Sequence, residues 1–276
     1  MKKLKVMLVA RRDNGLGHDM AKALNYAGCD AELYLHPYNL STIAQKADVI
    51  QFLHSDYLNL GISLQRKACA VLHSGMAYRK DPERLNDIFN PITRLTLIQT
   101  ADLMGLGATN EFYWPGLIDT DEIKPEYYLS GYHAIGHIPE RYCGTEIIRN
   151  ILTRHPEWKY VESMDDCEIF FDACCLAIGN MVYGEWGLRA LKAAATGKIV
   201  ITHSLLGQKM YRKEYGDCAL WIANSPKAVA ECVSKAMALS GTELNLEQRK
   251  TRDWVEAKHS LPVMGMLLRQ KYEEIL

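Results

Sequence analysis

The sequence predicts two doubly wound α/β domains, on three observations. Short β-rich apolar runs alternate with amphipathic stretches through the first 114 residues or so, the order that builds a parallel sheet. The alternation stops at Trp114-Pro115-Gly116 and at a polar run, Asp119–Pro125 (DTDEIKP), which reads as a linker. Beyond it a second α/β alternation begins.

In the first half, Lys5–Ala10 (KVMLVA) is a nearly continuous apolar run, as expected of a central parallel strand covered on both faces. A glycine-containing loop, Asn14-Gly15-Leu16-Gly17-His18, leads into a helix over Asp19–Ala27, and Gly28 stands at the C-cap position. Asp30–Leu35, Val49–His54, Ala68–His73, Leu95–Gln99 and Glu111–Trp114 are the further strands expected.

In the second half, strands are expected at Tyr132–Ile138, Lys159–Val161, Glu168–Phe171 and Ile199–Thr202. Helices are expected at Gly144–Thr153, at alanine-rich Glu185–Thr196 with Gly197 as its stop, at Pro226–Leu239, and from about Leu246 onward. In such sheets ligands sit at the carboxyl ends of the strands, so a cleft faced by the two domains is the expected site.

Composition narrows the function classes. A chain of 276 residues with a net charge of −1 has no basic excess, so a broad nucleic-acid footprint is not expected. The cysteines include no Cys-x-x-Cys pair, and adjacent Cys174 and Cys175 suit neither a zinc knuckle nor an easy disulfide. They read as buried thiols in a reducing compartment, and a cytoplasmic location is expected. The start, MKKLKVMLVA, has a short apolar run followed at once by Arg11, Arg12 and Asp13, so it reads as a strand and not as a signal peptide. No run reaches the roughly 18 apolar residues a membrane span needs.

The segment from Trp186-Gly187-Leu188-Arg189 through Lys192 to Thr196-Gly197-Lys198-Ile199-Val200-Ile201 resembles the donor-site helix of retaining GT-B glycosyltransferases, the group 1 type. Other matches follow in the family's order. Gly15 and Gly17 fall in the first β-to-α loop, and His73-Ser74-Gly75 follows the fourth strand. Gln99–Leu103 and Trp114–Asp119 look like the last N-domain strands and exit turn. His137–Thr145 resembles the start of the C-domain, and Lys258–Leu276 resembles the helix that crosses back.

The resemblance implies a nucleotide-sugar-dependent hexosyltransferase-like enzyme with two Rossmann-like domains facing a cleft. It implies an acceptor-side domain at 1–124, a donor domain at 125–257 and a returning helix at 258–276. By that likeness Gly15, Gly17, Arg141, Gly187, Leu188 and Lys192 hold the donor, while His73 and Glu185 orient the sugar. The glycine turn would offer helix N–H groups and the positive dipole end to a diphosphate. No metal or other cofactor is implied.

The chain also departs from that pattern. The family's ribose-binding glutamate falls on Lys192, its phosphate-binding arginine on His137 and its lysine on Cys143, with Arg141 between those two. Its other acidic residue aligns on Gly184, one position from Glu185. Each candidate has an ordinary structural reading as well. Arg141 and Lys192 suit solvated surfaces, Glu185 suits the first turn of a helix, and a histidine closing a buried strand is as often a core residue. A Gly-x-Gly without a third glycine is a weak signal, and Met20 at the third position argues against a dinucleotide site. Asp119-Thr120-Asp121 matches a metal-holding Asp-x-Asp pattern but lies in the predicted linker.

Two readings therefore stand beside transfer to a glycan, lipid, small metabolite, protein or modified nucleobase. One is a catalytically degenerate scaffold that binds a nucleotide, glycan or protein partner. The other is a sugar-nucleotide epimerase.

Overall fold

The computed structural model describes residues 3–11, 15–35, 44–53, 68–73, 75–127, 134–139, 144–162, 174–182, 186–204 and 206–276. The chain divides into two compact units, one of Met1–Leu117 with Leu261–Leu276, the other of Ile118–Ser260.

Among the described residues the first unit is built on six parallel strands: β1 (Lys5–Ala10), β2 (Asp30–Leu35), β3 (Val49–Phe52), β4 (Ala68–His73), β5 (Leu95–Ile98) and β6 (Glu111–Tyr113). Their order is β2-β1-β3-β4-β5-β6, so the winding reverses between β1 and β3. β3, β4 and β5 are buried at every residue, which explains their lack of polar alternation.

Helix α1 (Leu16–Tyr26) starts earlier than the loop reading allows. Gly15 is its N-cap, at φ 95°, and Gly17 lies in its first turn. A Cβ at Gly17 would meet the δ-methyls of Leu33 and Leu53 at 2.9 Å, so this glycine lets the helix lie against the sheet. The short helix α2 (Gly75–Lys80) follows β4. Next comes α3 (Pro82–Phe89), which starts on a sequence signal: Asp81 accepts the Arg84 N–H at 3.2 Å, with proline in the first turn.

Among the described residues the second unit carries five parallel strands: β7 (Ala134–His137), β8 (Lys159–Glu162), β9 (Leu176–Ile178), β10 (Ile199–Thr202) and β11 (Trp221–Ile222). The order β11-β10-β9-β7-β8 places its reversal between β7 and β9. The expected strand at Glu168–Phe171 lies outside the described residues.

Its helices are α4 (Thr145–Leu152), α5 (Gly187–Ala195), α6 (Gly207–Tyr215), α7 (Pro226–Met237) and α8 (Gly241–His259). Ser240 and Glu243 form a capping box at the start of α8.

The run read as a linker is fastened within the second unit. Arg252, itself buried, donates to the carbonyls of Thr120 (2.6 Å), Ile123 (3.1 Å) and Ala195 (2.5 Å). Buried Lys198 donates to Glu126 O at 2.9 Å, and Arg249 lies over the Tyr127 ring at 4.6 Å. Asp119 is buried, and its Oδ1 accepts the N–H groups of Asp121 and Glu122 at 3.1 and 3.3 Å. That is the work of a turn-forming aspartate.

Helix α8 ends at Ser260, and α9 (Leu261–Glu273) packs in the first unit against α1. Arg269 donates to Ala27 O at 2.7 Å, and the buried Tyr272 hydroxyl donates to Gln51 Oε1 at 2.9 Å. Among the described residues no helix is long and apolar enough to cross a membrane.

Candidate functional site

In a doubly wound sheet the loops on either side of the reversal part company, which leaves a crevice at the carboxyl ends of the two central strands. In the second unit that crevice lies between β7 and β9, and His137 bridges it. The imidazole is buried, with Nδ1 2.9 Å from Ile178 O and Nε2 2.9 Å from Thr145 Oγ1 at the start of α4. Burial holds its pKa below the ordinary histidine value. Neutral and hydrogen-bonded on both sides, His137 joins strand to strand and is not a phosphate-binding cation.

Two helices open at this crevice. Gly144, at φ 77°, precedes α4, and a Cβ there would meet Val182 Cγ2 at 2.9 Å and Met181 Cβ at 3.1 Å. Gly144 is thus packed on Met181 and Val182 after β9. Gly187 opens α5 at φ 71°, and among the described residues no atom lies within 4 Å of where its Cβ would stand. The packing of the described residues does not call for a glycine here. It leaves the backbone at the start of α5 approachable.

The residue before it is held hard. Trp186 is buried with its ring edge-on to Tyr211 (5.1 Å) and Trp254 (6.2 Å), and Tyr211 Oη shares a 3.0 Å hydrogen bond with His259 Nε2. This aromatic cluster fixes where the Gly187 turn points.

Gly187, Leu188, Arg189 and Lys192 are all half-buried on α5, and Arg189 and Lys192, three residues apart, share one helix face. Arg189 is close enough to His137 to help lower its pKa. The other cation acting on His137, Arg149, is held by Glu162 (2.7 and 2.9 Å) and Glu146 (2.7 Å).

The structure therefore brings Gly187, Leu188 and Lys192 together beside the crevice of the second unit. Arg141 and Glu185 lie outside the described residues. Gly15 and Gly17, at the start of α1, and His73, at the end of β4, belong to the first unit, where β3 separates β1 from β4. His73 is fully buried, stacked on Tyr78 at 4.0 Å and edge-on to Phe89 at 5.6 Å. Neither ring nitrogen has a hydrogen-bond partner among the described residues, and burial lowers its pKa to about 4. These are the surroundings of a core histidine. Sequence reasoning missed the aromatic cluster, whose one signal was the tryptophan directly before the glycine of α5.

Solved structures share this architecture. Anabaena Alr3699/HepE, solved with UDP and glucose, matches at a TM-score of 0.67 and 11% identity over 98% of this chain and 100% of its own. It has also been solved with UDP-glucose and with UDP alone. Sucrose-phosphate synthase from Thermosynechococcus elongatus matches at 0.68 and 12% over 99% of each chain. A glycosyltransferase from Rickettsia africae matches at 0.66 and 13% over 100% of this chain and 99% of its own. No protein-family model and no curated protein matches the sequence. The fold is that of the GT-B glycosyltransferase structures, with parallel sheets of six and five strands.

Proposed function

We propose that this protein is a glycosyltransferase that moves a sugar from a nucleotide-sugar donor to an acceptor hydroxyl, with retention at the anomeric carbon. In the reaction the bond between the anomeric carbon and the diphosphate breaks and the nucleoside diphosphate leaves. The acceptor oxygen then bonds that carbon and loses its proton. The observation that carries the reading is the Gly187 turn: a left-handed glycine, open to approach, at the start of a helix beside the crevice of the second sheet.

The N–H groups of Gly187 and Leu188 would receive the diphosphate, whose negative charge grows as the sugar bond breaks. Donors already in place stabilise that charge more in the transition state than in the ground state. Lys192 adds positive charge on the same helix. Arg141 and Glu185 enter on the family resemblance alone, as a diphosphate and a sugar contact. His73, enclosed by Tyr78 and Phe89, supports the end of β4. The fold likeness to proteins solved with UDP and UDP-glucose supports a nucleotide-sugar donor.

Calorimetric titration with UDP, GDP, ADP and their glucose conjugates, alongside Gly187→Ala, tests the proposal. Binding of one conjugate that the substitution abolishes, together with slow release of its sugar to water, is the expected result. Failure of every nucleotide to bind would sink it.

A second reading has its own observation in its favour. His137, aligned with a phosphate-binding arginine, is buried and neutral. A scaffold that binds a nucleotide without turning it over fits that loss of charge. Tight binding with no sugar release at any acceptor would favour it.

A further inference from the structure

Resting on the donor reading above, we propose that Tyr211 and His259, both fully buried, are positioning residues that hold the Gly187 turn in place through Trp186.

Helix α8 grips α5 at both of its ends. At the carboxyl end, Arg252 of α8 donates to Ala195 O at 2.5 Å. At the amino end, Trp186, the residue before Gly187, is buried edge-on to Trp254 of α8 and to Tyr211 of α6. The helix between these two grips has little freedom to slide along its axis.

At the amino end the polar anchor lies one ring away from Trp186. The indole N–H groups of Trp186 and Trp254 have no hydrogen-bond partner among the described residues, so packing orients those two rings. Tyr211, by contrast, shares a 3.0 Å hydrogen bond with His259 Nε2 and lies nearly parallel to the same imidazole, 5.6 Å between centroids. His259 is in turn edge-on to Trp254 at 4.8 Å, and its carbonyl accepts the Ile118 N–H at 2.9 Å. The imidazole therefore fixes Tyr211, and Tyr211 with Trp254 fixes Trp186. Gly187 has no side chain with which to hold itself, so the direction of its N–H group and that of Leu188 is inherited from Trp186. Donors act on a developing charge only where they already stand in place, and a misplacement of about 1 Å can cost about a hundredfold in rate.

The experiment pairs hydrogen exchange, read by mass spectrometry, with calorimetric titration of UDP, in the unaltered protein and in Tyr211→Phe, His259→Leu and His259→Gln. In the first turn of α5 the amides of Ala190 and Leu191 bond back to the carbonyls of Trp186 and Gly187, so their exchange reports that turn whether or not a ligand binds. Val233→Ala is the stability control, since Val233 packs in a core cluster of the same unit that contains none of Trp186, Tyr211, Trp254 and His259. Thermal unfolding of each variant reports folding. We expect Tyr211→Phe and His259→Leu to speed exchange at Ala190 and Leu191 at least tenfold and to weaken UDP binding at least fivefold. His259→Gln, whose amide can take the place of Nε2, should restore most of both, and Val233→Ala should move neither. Should His259→Leu fail to fold, Tyr211→Phe, which removes a single oxygen atom, carries the test. Faster exchange spread evenly over the whole unit marks a merely structural role and overturns the proposal. Unchanged exchange at the first turn, or unchanged UDP affinity, in a folded Tyr211→Phe protein also overturns it and leaves the donor reading standing. No binding of UDP, GDP or ADP to the unaltered protein overturns the donor reading, and the exchange rates then show separately whether Tyr211 and His259 hold the turn.

Discussion

Gly265 of α9 lies so close to Ala23 of α1 that a Cβ at position 265 would stand 2.0 Å from the Ala23 carbonyl oxygen. The contact is with backbone, so no side-chain rotation can relieve it. Gly265→Ala must push the two helices apart, against a seam in which Arg269 donates to Ala27 O and Tyr272 to Gln51. We expect a loss of about 3 kcal/mol, at the upper end of overpacking costs. Urea unfolding of the variant measures it. Ala23→Gly should not rescue the double variant, because the clashing atom remains.

How much of this could be read beforehand depends on what each residue reports. β1, β2, β4 and β10 lie where the sequence predicts them, since apolar runs bounded by polar turns report burial directly. Gly17 reads as a loop residue because a glycine needed for close packing and one needed for a loop look alike in sequence. Only the contact with Leu33 and Leu53 separates them. β11 is two residues long and carried no pattern. At the site, the Gly187 turn was legible from its place before an alanine-rich helix. The aromatic cluster was not, since Trp186, Tyr211, Trp254 and His259 meet only through the tertiary fold. The run from Asp119 to Pro125 looked like a linker because its fasteners, Arg252 and Lys198, are remote in sequence.

His73 predicts a pH dependence. Its pKa is lowered by burial to about 4, below the 6.5 it has when exposed. The unfolded chain therefore binds the proton more readily than the folded one. The contribution is complete above about pH 6.5 and declines as pH falls toward 4, by about 2 kcal/mol between pH 7.5 and pH 5. His73→Phe, which keeps a flat ring between Tyr78 and Phe89, should remove that share of the acid sensitivity. Urea unfolding of both proteins at the two pH values checks it, and parallel pH slopes would refute it.

Arg252→Met should loosen the segment that Arg252 holds. The carbonyls of Thr120, Ile123 and Ala195 lose their donor, while methionine fills much of the space. A lost buried charged donor costs on the order of 3 kcal/mol. Glu122 and Glu126 are both exposed, so a glutamate-specific protease reports the loosening locally. Cleavage at those two positions should speed up in the variant under native conditions, and equal cleavage rates would show the segment to be held by its other contacts.

Two glycines separate strain from function at the site. Gly187 and Gly216 both have positive φ, 71° and 86°, and among the described residues neither has an atom within 4 Å of where a Cβ would stand. Alanine at Gly187 therefore pays for its backbone conformation, about 1 kcal/mol or a little more, and alanine at Gly216 up to about 3 kcal/mol, because φ 86° with ψ −155° is a region nearly confined to glycine. Their places differ. Gly216 follows the end of α6, whereas Gly187 opens α5 beside the crevice bridged by His137. Gly216→Ala should lower the unfolding midpoint by a few degrees and leave nucleotide affinity unchanged. Gly187→Ala should lower it by no more than that and weaken UDP binding at least tenfold, because on the proposed reading a methyl group would stand where the diphosphate approaches. Calorimetry on the two variants decides between the alternatives. Equal affinities would mean that the open space above Gly187 receives no ligand, whereas loss confined to Gly187→Ala would tie the shape of that turn to donor binding, independently of its cost in stability.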